Sequence, residues 1–210
     1  MDYPENQKTT IEILSEFAEC SNRKIFFSEI PYPGTIMNAV TNHKRTLYIP
    51  NNSFEQSFLI GYQDPKSLNE NELYFGVFFP LPIPTSKALK IRKKDFLDKL
   101  NPFSKKMILK TNCEQFDSLT IITGNDISLV NRFFSNIETQ KLVLESLKII
   151  EGINIGINEF NLDFVPAFID KSNLGVFTKQ KWIVDSNILE NLFTKIEQFR
   201  ELITEKINVS

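Results

Sequence analysis

Short apolar runs broken by polar turns follow one another through roughly the first 125 residues, and helical periodicity dominates only after them. That order constrains the fold more than any motif does. Strands in series followed by helices, rather than strict βαβ alternation, predict an α+β architecture and not a doubly wound parallel sheet. The expected form is a largely antiparallel sheet with an N-terminal helix, a central helix pair and a long C-terminal amphipathic helix.

The N-terminal helix is expected over about 10–20. Thr9 and Glu12 have the spacing of a capping box, and Ile11, Leu14, Phe17 and Ala18 recur at helical spacing. Strand-like runs follow at Arg23–Ile30, Ile36–Val40 and Arg45–Ile49, the last two around a hairpin turn at Thr41–Lys44. Further strands are expected at Phe54–Gln63, Leu73–Phe79, Leu89–Lys93, Lys106–Lys110 and Leu119–Ile122, with a short helix at Asp95–Leu100. Asp126 caps a helix carrying Ile127, Val130, Phe133 and Phe134, and a second helix runs Ile137–Ile150 with Gly152 as its C′ glycine. Ile153–Ile157 and Asp163–Ile169 read as a strand pair. The longest helix, about 187–206, carries the stripe Leu189, Leu192, Phe193, Ile196, Phe199 and Ile203. One unit spanning 1–210 is expected, with 111–117 as the best place for a seam.

Composition narrows the function. Of 210 residues 41% are hydrophobic and 24% charged, so the chain has the makings of a packed core and is not disordered or low-complexity. A formal charge of −2 sets up no global field toward DNA or an anionic membrane. With 19 Phe, 19 Lys and 25 Ile against 4 Ala and 5 Arg, the usage follows A/T-rich codons and points to a bacterial source. Residues 1–10 are polar and acidic at the start, which predicts no secretory leader. The longest apolar stretch, Leu73–Ile83, is far below the ~20 residues a membrane helix needs. A soluble, cytoplasmic protein is expected, with Cys20 and Cys113 as buried thiols.

No recognisable catalytic set emerges. His43 is the one imidazole and falls in a polar turn, where neither packing nor a carboxylate would hold it. Two cysteines and one histidine do not make a zinc site, and no metal or cofactor is expected. Carboxylates are harder to exclude, and Glu114, Asp117, Asp126, Asp163 and Asp170 are the candidates for acid–base work in a hydrolase or transferase. The strongest local charge anomaly is the basic stretch 87–110, in which Lys90, Arg92, Lys93, Lys94, Lys105 and Lys106 could contact an anionic surface, nucleic acid or lipid headgroups. Lysine on an edge strand also deters edge pairing, and the preponderance of Lys over Arg argues against nucleic acid. Pro80, Pro82 and Pro84 read as a rigid exit from a strand, and Trp182 as an anchor for the last helix.

From Leu89 to Gly156 the order is a basic strand (Leu89-Lys90-Ile91-Arg92), a short helix, Leu109-Lys110-Thr111, the pair Phe116-Asp117, a strand, the Asn125-Asp126 cap, two helices and a strand from Ile153. This resembles a family of uncharacterised bacterial proteins whose soluble α+β domain often follows transmembrane helices. The resemblance implies the same fold class and supplies no established catalytic residues to carry over, while the lack of a membrane segment departs from it. The expectation is a non-enzymatic domain binding a protein partner or a small ligand, with homodimerisation if the last helix has a second apolar face. A carboxylate-based enzyme and an anionic-surface binder are the alternatives.

Overall fold

A computed structural model describes residues 8–33, 42–51, 56–65, 72–96, 98 and 108–208. Helix α1 (Thr10–Cys20) opens the chain. Thr9 caps it as expected: its hydroxyl accepts from the Glu12 N–H, and Glu12 accepts from the Thr9 N–H at 2.6 Å. Strands β1 (Phe26–Tyr32), β2 (Asn42–Pro50), β3 (Phe58–Asp64) and β4 (Glu72–Leu81) then form an antiparallel meander. Strands β5 (Leu89–Lys93) and β6 (Ile108–Leu109), helix α2 (Glu114–Leu119) and β7 (Thr120–Gly124) follow. The short helix α3 (Ile127–Leu129) continues into a π-helical turn at Val130–Phe134, and α4 (Ile137–Ser146) succeeds it. Strands β8 (Ile153–Ile157) and β9 (Ser172–Thr178) and the helix α5 (Ser186–Asn208) complete the chain.

The nine strands among the described residues join one antiparallel sheet in the order β1-β2-β3-β4-β9-β8-β5-β7-β6. The chain leaves β4, lays down β5, β6 and β7 at a distance, and only later fills the gap with β8 and β9. Register divides the side chains between two faces. Leu47, Leu59, Phe75, Val77, Val176 and Ile155 point to one face, where α1, α4, the π-helical turn and α5 cover them. Every residue of the α5 stripe is at most 2% exposed, because α5 lies across the sheet centre and packs on β4 and β9. On the other face Phe58, Ile60, Tyr74, Phe78 and Phe177 meet Phe160, Leu162, Val165 and Phe168, carried by the connection that folds back between β8 and β9. Each buried aromatic of this second layer contributes about 1.5–3 kcal/mol of burial energy.

Several expectations need correction. Asn42, His43 and Lys44 lie within β2, and His43 pairs with Pro31, so these three form no hairpin turn, while Thr41 lies outside the described residues. Five consecutive polar residues, Asn42–Thr46, resemble a turn in sequence, and the strand accommodates them because all are half-buried beside an exposed edge. Asp163–Ile169 is not a strand; it is a turn and a 3-10 turn at Pro166–Phe168, and the partners of β8 are β9 and β5. Helix α4 stops at Ser146, with Leu147 as C-cap, so Gly152 is not its C′ residue; its φ of +79° serves the turn into β8. Strand β4 runs through Pro80 to Leu81 before the chain leaves the sheet. Cys20 is exposed and Cys113 half-buried, both as thiols. The strand expected at Ile36–Val40, the start of that at Phe54 and half of the helix at Asp95–Leu100 lie outside the described residues.

A polar keystone closes the second layer. Asn158 takes the left-handed conformation at the end of β8 (φ +53°) and donates to Lys87 O at 2.7 Å and Ser172 Oγ at 2.9 Å. Its side-chain oxygen accepts from the Asn173 N–H at 2.9 Å. Asn158→Ala removes three bonds among half-buried groups and a residue suited to φ > 0. It is expected to cost about 2–3 kcal/mol, read as a lower midpoint in urea unfolding with an unchanged slope.

Candidate binding cleft

The last residues of β5, the end of α2 and the end of α4 converge on one cleft. A cavity of about 300 Å³ opens there between Lys93, Lys94, Phe96, Leu119, Leu144, Leu147 and Lys148. Its floor is apolar, and two of its walls are apolar side chains left in water: Phe96 is 70% exposed and Leu119 47%. A second hollow of about 730 Å³ shares Lys93, Lys94, Asp95, Leu147 and Lys148 and extends past Asn154 to Gln180. Each has the size of a ligand cleft, commonly about 300–1,000 Å³, and their lining is mixed.

Lysines rim this cleft. Among the described residues no carboxylate stands within ion-pair distance of Lys93, Lys94 or Lys148. Arg92 forms the adjoining wall and is fully engaged: it makes a bidentate pair with Asp98, with Nη1 at 2.7 Å from Oδ2, and approaches Asp95 at 3.9 Å. The Arg92 hydrogen bonds hold the Asp98 carboxyl down at about 2, and Asp98 in turn raises Arg92. Asp98 also accepts from the Asp95 N–H at 2.9 Å, which braces the corner after β5. Lys148 follows the end of α4, where a cation also complements the helix dipole.

Of the expected contact residues, Lys93 and Lys94 thus meet at the cleft and Arg92 buttresses it. Lys90 projects from the opposite face toward Glu159, 3.9 Å away and shared with Lys179, and burial lowers its pKa. Lys105 and Lys106 lie outside the described residues. Lys148, Leu119 and Leu144 escape sequence reading because they join the site from other elements, although a lysine set among Leu147, Ile149 and Ile150 hints at an apolar rim.

The carboxylates do not converge. Asp117 accepts from the Thr111 N–H and hydroxyl at 3.1 and 3.0 Å and pins the loop before α2. Asp126 caps α3 through Ser128 and pairs with Lys87 at 2.8 Å, which holds it at about 2. Glu114, Asp163 and Asp170 are exposed. Among the described residues no group of three or more His, Cys, Asp or Glu could hold a metal, and no helix is long and apolar enough to cross a membrane. No family model matches the chain, and neither a curated protein nor a solved structure matches it.

Proposed function

We propose that the chain is a non-catalytic binding domain whose cleft beside β5 takes a small anionic amphiphile, an acyl chain ending in a carboxylate or phosphate. The observation that carries the reading is the conjunction of an apolar floor with three lysines lacking carboxylate partners among the described residues. The acyl chain would cover Phe96, Leu119 and Leu144, and the head would meet Lys93, Lys94 and Lys148. Burial of apolar surface supplies affinity at about 25 cal/mol per Å², while the exposed lysines select the sign of the head group and speed encounter. A cytoplasmic setting, in which Cys20 and Cys113 stay as thiols, belongs to the same proposal.

Titration calorimetry with dodecanoate below its micellar concentration tests it. Saturable binding is expected, and the triple variant Lys93→Glu, Lys94→Glu, Lys148→Glu should weaken it at least about tenfold, or 1.4 kcal/mol. Leu119→Asp, at an exposed site that folding tolerates, should do the same. Dodecylammonium should not bind. Equal affinity for both amphiphiles, or no effect of the triple variant, overturns the reading.

A further inference from the structure

Among the described residues strand β1 is an edge of the sheet with no further strand beside it, and it lies almost wholly in solvent. Three of the eight exposed large hydrophobic residues among those described, Phe26, Phe27 and Ile30, crowd into it, at 41%, 40% and 53% exposure. Long apolar edges invite pairing unless charge, proline or a bulge blunts them.

The hydrogen-bond phase of the sheet shows which backbone groups of β1 are unspent. Asn51 N–H donates to Ser57 O at 2.8 Å, and the β2–β3 register continues without a break from that pair. Alternation along β2 then turns Ile49, Leu47 and Arg45 toward β3 and Tyr48, Thr46, Lys44 and Asn42 toward β1. Their partners Phe26, Ser28, Ile30 and Tyr32 face inward, so Phe27, Glu29 and Pro31 direct their backbone groups outward. Proline has no N–H to offer.

We propose that this edge pairs antiparallel with the same edge of a second copy, about a two-fold axis at Ser28. That register sets Phe26 against Ile30 of the second copy, twice, so the two exposed apolar side chains on that face cover one another. It sets Phe27 against Glu29 of the second copy, and these outward residues exchange four backbone hydrogen bonds across the axis. The missing donor of Pro31 falls outside the central pairs. Neighbouring registers lack this complementarity. An axis at Glu29 opposes two carboxylates and leaves the Phe27 carbonyl facing Pro31, which has no N–H to donate, whereas an axis at Phe27 faces Ile30 with Lys24. Half-step slips pair outward with inward residues and lose the ladder. A single strand pair buries little for a stable dimer, so association in the micromolar range is expected. The α5 stripe plays no part in it, being wholly spent on the core.

Sedimentation velocity over a series from low to several hundred micromolar tests the association. A concentration-dependent doubling of mass is expected, and Ile30→Lys, at a side chain already in water, should raise the dissociation constant at least tenfold. Register is read separately in a Cys20→Ser background. Ser28 pairs with itself at a non-hydrogen-bonded site, where Cα atoms stand about 4.5 Å apart, within disulfide reach. Ser28→Cys should therefore cross-link to its own copy under mild oxidation and Glu29→Cys should not. A strictly monomeric protein, a dimer indifferent to Ile30→Lys, or a Ser28→Cys thiol that stays reduced in the dimer overturns the proposal.

Discussion

Gly175→Ala is expected to destabilise the fold by at least about 3 kcal/mol, although the same exchange inside an ordinary strand is favourable by about 0.5–1 kcal/mol. The reason is a reciprocal cross-strand arrangement between β4 and β9. Register sets Phe78 opposite Gly175 and Gly76 opposite Phe177. The Phe78 ring lies over Gly175, and the Phe78 and Phe177 rings run nearly parallel, with centroids 6.0 Å apart and planes 13° from each other. A Cβ on Gly175 would stand 2.1 Å from Phe78 Cδ1, and Phe78 is 1% exposed, with Phe160, Phe177 and Tyr74 around it. The ring cannot leave without opening the second layer. At Gly76 the clash would be with backbone, 2.3 Å from Val176 O. For a chain of this length a loss of that size lowers the melting temperature by roughly 6–12 °C. The cycle with Phe78→Leu identifies the cause: the double variant should lose less than the sum of the single ones, because the shortened side chain makes room. Additive losses would mean the ring is not what the new methyl meets.

Those glycines also show where the sequence stops being legible. Strand β9 reads Ser-Asn-Leu-Gly-Val-Phe-Thr, with no alternation and few apolar residues, yet all seven positions are buried. A central strand covered on both faces has no solvent side, so the period-2 signal that reveals β5 vanishes. Its polar residues find partners in other loops: Ser172 donates to Ile83 O at 2.8 Å, and Asn173 donates to Phe160 O at 3.1 Å. None of those partners is near in sequence. Local features fared better. The Thr9 capping box, the Asp126 cap and the α5 stripe each depend on residues within a few positions of one another, and each forms as expected. The cleft follows the same division. Lys93 and Lys94 stand out as charge at the end of a strand, but what makes them a site is Leu119, Leu144 and Lys148, brought in by α2 and α4.

Arg23→Ala should cost about 2–4 kcal/mol, a large effect for a residue that the sequence places only at the start of a strand-like run. Its side chain is 10% exposed and sits where α1, β2 and α5 meet. Nε donates to Asn51 O at 2.9 Å, Nη2 donates to Asn51 Oδ1 at 3.0 Å, and the fork closes bidentately on Glu190. The guanidinium also lies over Phe193, 4.3 Å from the ring centroid, and 5.3 Å from that of Phe17. One planar cation therefore satisfies a strand-end carbonyl, an amide, a carboxylate and two rings. Lysine cannot reproduce that fork, so Arg23→Lys should recover less than half of the loss. Glu190 is 48% exposed, and Glu190→Gln should cost no more than about 1 kcal/mol. Beside this clamp, Glu197 accepts from Ser57, from Asn51 Nδ2 at 3.0 Å and from Arg200 Nε at 2.7 Å. Burial works against its charge, but these three donors outweigh burial and hold the carboxyl below its ordinary value of 4.5. A depressed carboxylate adds stability that is full above the unfolded pKa and is lost as pH falls through the folded one. Melting temperature should therefore fall on acidification below about pH 4.5, and Glu197→Gln should flatten that fall while leaving the effect of Arg23→Ala at neutral pH intact. If Arg23→Ala costs no more than Glu190→Gln, the ion pair alone accounts for the residue, and its contacts with Asn51 and the two rings contribute nothing.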